Sequence, residues 1–180
     1  VINSDLKIEN LWMPKIQTNT KTFEDVLDAV KNKGLKVTAP NKGDSFEIGR
    51  AKCEVMTDSI LNKDNLNLSS IVIRLEFENN SFLFMGDAET ANEKTRTWMK
   101  TDVLKVGHHG SNTSSSEDFL KQINPTYAVI MARKNNSYGL PKQKILDRLA
   151  KIGAKVYRTD EEGTIMMISN GNNIEVKENT

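Results

Sequence analysis

The chain has 180 residues, enough for one domain with a sizeable core. Lys and Arg number 25 against 24 Asp and Glu, a formal net charge of +1, so global charge gives no argument for a nucleic-acid partner. One cysteine excludes an internal disulfide and any cysteine-rich zinc module, and no apolar stretch approaches transmembrane length.

The first apolar run, Leu11-Trp12-Met13, is stopped by Pro14. Thr22 to Lys33 reads as a helix: Phe23, Val26, Leu27 and Val30 recur at helical spacing, Thr22 is the predicted N-cap, and Gly34 ends it. Leu35–Val37 reads as a strand, and the alternation from Ser45 to Met56, broken at Gly49-Arg50, predicts a hairpin. Cys53 lies on that alternation, which favours a buried structural thiol over a nucleophile. Asp58 to Asn67 is a polar loop. A second hairpin joins Ser70–Phe77 to Ser81–Met85 through Glu78-Asn79-Asn80. Thr90 to Lys100 predicts a helix in which Trp98 and Met99 pack rather than bind ligand. Val103–Val106 reads as a strand. Ser115 or Ser116 caps a helix through Ile123, and Tyr127–Met131 is another strand. Pro141 opens a helix to Ile152 that Gly153 ends. Ala154–Tyr157 is a short strand, and a last hairpin, Thr164–Ile168 with Asn173–Val176, turns through Asn170-Gly171. Two hairpins followed by helix–strand alternation predict an α/β (α+β) sandwich with mixed sheets, not a doubly wound sheet.

Two strand ends carry the chemistry. Ser81-Phe-Leu-Phe-Met-Gly-Asp87 runs apolar into a carboxylate, with Glu89 two residues on. Asp102-Val-Leu-Lys-Val-Gly-His-His-Gly-Ser111 runs apolar into His108 and His109, the only histidines of the chain. Asp87 alone could be an N-cap, and a lone histidine could be structural. An imidazole pair at one strand end near a carboxylate at another instead predicts a metal-dependent hydrolase site. Adjacent side chains seldom ligate one ion from an extended backbone. One histidine is therefore the predicted ligand with Asp87, and the other the group that contacts substrate or moves a proton. Gly110 is expected to leave room for a metal or substrate. Carboxylate plus imidazole suits zinc or manganese and is poor for calcium.

The stretch Gly110 to Ser116 reads as an anion cradle at a helix start, with Ser111 and Asn112 as substrate contacts. Ser111 is not a covalent nucleophile, because no G-x-S-x-G elbow or complete triad exists. Between Arg133 and Arg158 eight basic residues face one acid, Asp147: either a polyanion patch or a solvated helix face. Asn135, Asn136 and Tyr138 are expected to shape a substrate pocket, and Arg133 and Lys134 either hold phosphate or serve packing and solubility.

Phe82-Leu-Phe-Met-Gly-Asp-Ala-Glu89, Asp102 to Ser111, Tyr138-Gly-Leu-Pro141, Tyr157-Arg-Thr-Asp160 and Gly163-Thr164 together resemble the metallo-β-lactamase superfamily. Within it they resemble the metallo-hydrolase domain of ComEC-type competence proteins. The resemblance implies an αββα sandwich with the metal site at one edge between two sheets. It implies that Asp87 bridges two zinc or manganese ions, that His109 is the last metal-binding histidine, and that His108 faces substrate. The implied reaction is phosphodiester hydrolysis, with DNA during uptake as substrate and a membrane channel domain in the parent protein.

Two departures qualify the resemblance. The H-x-[HD]-x-D-H ligand motif of the family does not occur in the chain, and Leu140 stands where many relatives have histidine. The chain opens on Val1-Ile-Asn-Ser-Asp5, similar to the stretch just downstream of that motif. Residues 1–180 are therefore expected to be the C-terminal majority of one domain, incomplete at its N-terminus, with the remainder of that domain as a partner. Alone, such a fragment is expected to bind metal weakly and to be inactive. A small-molecule ester or phosphoester hydrolase without a DNA role and a degenerate non-catalytic binding domain are the alternatives. An extracytoplasmic, membrane-linked parent and a free-standing soluble or secreted hydrolase are equally compatible with these residues.

Overall fold

Seven short strands whose residues alternate about the sheet plane form one mixed sheet in sequence order. They are β3 (Ser45–Ile48), β4 (Ala51–Val55), β5 (Ile73–Phe77), β6 (Asn80–Phe84), β7 (Val103–Lys105), β8 (Tyr127–Ile130) and β9 (Lys155–Arg158). The structure is a computed structural model and describes residues 2–178, so Val1 of the Val1–Asp5 stretch lies outside the described residues. β3 to β6 pair antiparallel, β3–β4 and β5–β6 through tight hairpins and β4–β5 across a long loop, and β6 to β9 pair parallel. The parallel half needs crossovers, and helices supply them.

Leu83, Leu104, Ala128 and Val156 share one row on one face of the sheet. That face is covered by α3 (Glu117–Ile123) through Phe119, Leu120 and Ile123, and by α4 (Gln143–Lys151) through Ile145 and Leu149. The i, i+4 spacing of Ile145 and Leu149 gives α4 its apolar stripe, and each such burial contributes roughly 1.5–3 kcal/mol. Ser116 caps α3 by accepting from the Phe119 N–H, and Asn124 ends it in a left-handed conformation.

The other face carries the rows Val55, Ile73, Phe84, Lys105, Val129, Tyr157 and Cys53, Leu75, Phe82, Val103, Tyr127, Lys155. Its covering is smaller. The parallel pair β1 (Leu11–Trp12) and β2 (Val37–Thr38) meets it where Trp12 packs edge-on against Phe46 at 4.9 Å. The hairpin β10 (Ile165–Ser169) and β11 (Ile174–Glu178) abuts its β5–β6 turn, where Ser169 Oγ donates to Asn80 Oδ1 at 2.6 Å. The chain is thus an α/β sandwich, with α3 and α4 on one side of the sheet and small two-stranded sheets on the other. Between those small sheets Phe84 stays 42% exposed, and Ile73, Leu75 and Phe82 are only half-buried.

Four elements differ from the sequence reading. α1 (Lys21–Asn32) is capped by Thr20 rather than Thr22, because Thr20 holds the extended backbone a cap needs and its hydroxyl takes the Phe23 N–H. The strand expected at Leu35–Val37 is β2, one to two residues later. The helix expected over Thr90–Lys100 is only α2 (Thr90–Glu93). There the Trp98 indole N–H takes the Glu93 carbonyl at 2.6 Å and the ring packs on Phe119 at 5.1 Å, so tertiary anchoring of the tryptophan overrides helix continuation. Trp98 is buried as expected, whereas Met99 is half-exposed. α4 begins at Gln143, after Pro141, with Lys142 at the cap. Cys53 is 2% exposed, and burial pushes its thiol pKa up, as befits a packing residue. A short α5 (Thr159–Glu162) follows β9. Among the described residues no helix is long and apolar enough to cross a membrane.

Candidate active site

Both predicted groups sit at the C-terminal ends of neighbouring parallel strands. After β6 the chain turns through Gly86 at φ +56°, where a Cβ would press on Ser70 at 3.3 Å. The Asp87 N–H donates to Ser70 Oγ at 3.1 Å, which fixes the carboxylate at the turn. Lys105, the last residue of β7, donates from Nζ to the Gly86 carbonyl at 3.0 Å, and the His108 N–H reaches the same oxygen at 3.0 Å. One carbonyl therefore joins the two strand ends. Burial pushes the Lys105 ammonium below its ordinary pKa, with the Asp87 charge opposing.

His108 (φ 46°) and His109 (φ 53°) both occupy the left-handed region, unusual for two consecutive non-glycine residues and costing about 1–3 kcal/mol each. Gly110 follows at φ +80°, and a Cβ there would lie 2.7 Å from Pro141 Cβ. The expected room for a metal beside Gly110 is thus taken by Pro141, and the glycine serves close packing under the strained turn. That turn sends the two imidazoles apart, with centroids 6.4 Å apart and planes at 65°.

His109 Nε2 lies 3.3 Å from Asp87 Oδ1, and both side chains are open to solvent, 44% and 41% exposed. Its Nδ1 lies 2.5 Å from the Met131 carbonyl. A carbonyl only accepts, so Nδ1 carries the proton and a neutral ring keeps its lone pair on Nε2, facing Asp87. Two ligands on a tetrahedral zinc with bonds of about 2.0–2.2 Å stand roughly 3.4 Å apart. The Asp87–His109 pair fits that edge. Among the described residues, however, no group of three or more His, Cys, Asp or Glu side chains could hold an ion. The pair fits a metal as part of a ligand set, not as a whole one.

His108 makes a second, more enclosed pair. Its Nδ1 lies 3.2 Å from Glu89 Oε1 and 3.1 Å from Thr113 Oγ1, while Asn67 Nδ2 lies 3.4 Å from Nε2. Glu89 also accepts from Asn65 at 2.9 Å, Asn67 at 3.3 Å and Thr113 at 3.0 Å. Burial alone would raise the Glu89 pKa. The hydrogen bonds from Asn65, Thr113 and Asn67, with the His108 charge, outweigh it and leave the carboxyl lowered. Asn65, Asn67, Ser70, Lys105 and Thr113 were not singled out from sequence. The asparagines sit in a loop with no periodic signal, and Lys105 is hidden inside an apolar strand.

The expected anion cradle after Gly110 is filled by the chain itself. The buried Glu93 carboxylate takes the N–H groups of Ser115 at 2.5 Å and Ser116 at 2.9 Å. Ser111 shares a hydrogen bond with Thr113 Oγ1 at 3.2 Å, and Asn112 is exposed. The basic run is mostly spent locally. Arg158 pairs with Asp160 and Glu161, Arg148 donates to the Ser115 carbonyl, and Lys142 to the Tyr138 carbonyl. Arg133, Asn136, Tyr138 and Leu140 instead line a cleft of about 720 Å³ that opens beside His109, and Lys134 is exposed next to Arg133.

A strand-end carboxylate and a strand-end imidazole thus meet at the edge of an α/β sandwich. The profile of the Metallo-beta-lactamase superfamily matches residues 11–132, and the chain belongs to that family. It is 36% identical to the ComE operon protein 3 of Bacillus subtilis over 163 residues, covering 88% of this chain and 21% of that protein. Recombination protein 2 of Haemophilus influenzae is 41% identical over 101 residues, covering 55% of this chain and 13% of that protein. Competence protein ComA of Neisseria gonorrhoeae is 36% identical over 104 residues, covering 55% and 15%. The chain spans about a fifth or less of the length of these curated relatives. A solved superfamily member from Thermotoga maritima overlaps 67% of this chain and 62% of its own, at 16% identity and a TM-score of 0.38, too loose a likeness to place residues.

Proposed function

We propose that the chain is the larger part of a metal-dependent phosphodiesterase domain whose substrate in the parent protein is DNA. The observation that carries this reading is the Asp87–His109 pair, with Nδ1 of His109 spent on the Met131 carbonyl and Nε2 left to bind at 3.3 Å from the carboxylate. Asp87 and His109 would hold the ion. When bound, zinc or manganese supplies an acidified water and polarises the phosphoryl oxygens. The residues of the chain do the rest. Lys105 and Ser70 fix the Gly86-Asp87 turn, Glu89 holds the His108 ring with its Nδ1 toward the carboxylate, and on this reading His108 would move a proton. Relatives named for competence and recombination, together with the ComEC-type motifs, favour DNA over a small ester. The location of such a parent at a membrane is part of the same proposal.

On this reading Asp87 and His109 are part of a larger ligand set. The half-covered rows around Phe84, Ile73, Leu75 and Phe82 form the face on which the remaining layer of the domain, with the rest of the ligands, would sit. Two ligands are fewer than the three a catalytic zinc takes, so the chain alone binds zinc weakly and turns over little. The test is hydrolysis of bis(4-nitrophenyl) phosphate and of a labelled oligonucleotide, with manganese or zinc, by this chain and by the full-length parent. Metal-dependent phosphodiester cleavage is expected from the parent and abolished by Asp87→Asn or His109→Ala. Cleavage of 4-nitrophenyl acetate but of neither phosphodiester would transfer the reading to a small-ester hydrolase. Metal binding by the parent without turnover of any of them would make it a binding domain.

A further inference from the structure

The cleft beside His109 combines apolar walls, from Met131, Ala132, Tyr138 and Leu140, with two polar side chains that are already committed, Asn136 and Thr159. Asn136 donates from Nδ2 to the carbonyls of Arg133 at 2.9 Å and Leu140 at 2.7 Å, and its Oδ1 accepts the Leu140 N–H at 3.0 Å. The Thr159 hydroxyl accepts from the Ala132 N–H and donates to the Ala132 carbonyl. Asn136, assigned from sequence to substrate, is thus the brace of its loop. Lys142 Nζ adds a hold on the Tyr138 carbonyl at 2.7 Å. On this braced loop the Tyr138 side chain stands 77% exposed, with Met131 half-exposed and Leu140 in the same lining. An aromatic ring held in water by a fixed loop contributes nothing to the core and offers a flat apolar face to a ligand. Arg133, in the lining, and its exposed chain neighbour Lys134 carry no ion pair among the described residues.

We propose that this cleft is a subsite for one unpaired nucleobase, stacked on Tyr138 while Arg133 and Lys134 hold the adjoining phosphates. The placement beside His109 rests on the phosphodiesterase reading. A base paired inside a duplex cannot turn its face to a side chain, so the subsite takes single strands or frayed ends. With the Asn136 amide and the Thr159 hydroxyl both engaged, and Asn135 and Ser137 exposed at the lining, stacking on Tyr138 and charge are proposed to dominate recognition, and these tolerate every base. Leu140 serves this subsite as an apolar wall.

The experiment is binding of fluorescent twelve-residue oligothymidylate, oligoadenylate and a duplex of equal length by this chain, with chelator present so that no hydrolysis intervenes. Single strands of both sequences are expected to bind at least about 5-fold tighter than duplex, and Tyr138→Ala to weaken only the single strands, by about 10-fold, with Tyr138→Phe retaining affinity. The double variant Arg133→Ala/Lys134→Ala is expected to weaken both ligands and flatten the salt dependence by about one to two phosphates. Equal affinity for duplex, or unchanged single-strand affinity in Tyr138→Ala, would overturn the subsite and leave the phosphodiesterase reading standing. Tyr138-dependent single-strand binding in a parent that cleaves no phosphodiester would do the reverse.

Discussion

His108 and His109 are chain neighbours with nearly the same left-handed backbone, yet they do different work. His109 is open, touches one carboxylate and one carbonyl, and keeps a nitrogen lone pair for a ligand. His108 is 24% exposed and tied to Glu89, itself 13% exposed, inside a cluster that includes Asn65, Asn67 and Thr113. The lesson is that ring direction, not residue type, assigns the role. Two left-handed residues in succession turn the rings apart, and Pro141 packed against Gly110 supports the turn that does so.

Removing that support is expected to have the largest effect. Gly110→Ala places a Cβ at 2.7 Å from Pro141 on a left-handed backbone, and should destabilise the chain by about 3 kcal/mol in urea unfolding. A loss under about 1 kcal/mol would mean that the loop relaxes and that the turn is not braced from beneath. Glu89→Ala comes next, at about 2–3 kcal/mol, because it orphans several hydrogen-bond partners at once.

The pH dependence of the same residue sharpens the contrast. A carboxyl with a lowered folded-state pKa stabilises fully above its unfolded value, about 4.3, and loses that contribution as pH falls through the folded value. The stability gap between the native chain and Glu89→Gln should therefore be constant near neutrality and shrink on acidification below about pH 4. A gap that widens there would reverse the assignment. Asp87→Asn is expected to have the smallest effect on stability, under about 0.5 kcal/mol, since its exposed pairing with His109 contributes little. The same change should remove whatever zinc binding calorimetry detects in the native chain. Destabilisation by Asp87→Asn as large as that of Glu89→Ala would erase the distinction between the two pairs.

The strands and the hairpins were legible because alternation and turn residues are local signals. The sandwich followed from their order, and all seven strands of the main sheet pair in that order. The Asp87–His109 contact was legible for a related reason: apolar strands ending in Gly-Asp and Gly-His-His place their tips on one edge once the strands lie parallel. Less visible was where a local signal competes with a distant group. The serines after Gly110 offer backbone donors, but Glu93, some 22 residues earlier in the chain, occupies them. Thr90 to Lys100 has helical character, yet the helix stops so that Trp98 can reach Phe119.

Residue order by itself determined the fold class, the strand tips that carry acid and imidazole, and the membership of a hydrolase superfamily, because periodicity and short motifs need only neighbours along the chain. Tertiary structure alone decided which histidine is open, which carboxylate each one meets, and what fills the cradle and the space beside Gly110. Those outcomes depend on side chains that chain distance keeps apart and on the left-handed turn that aims them.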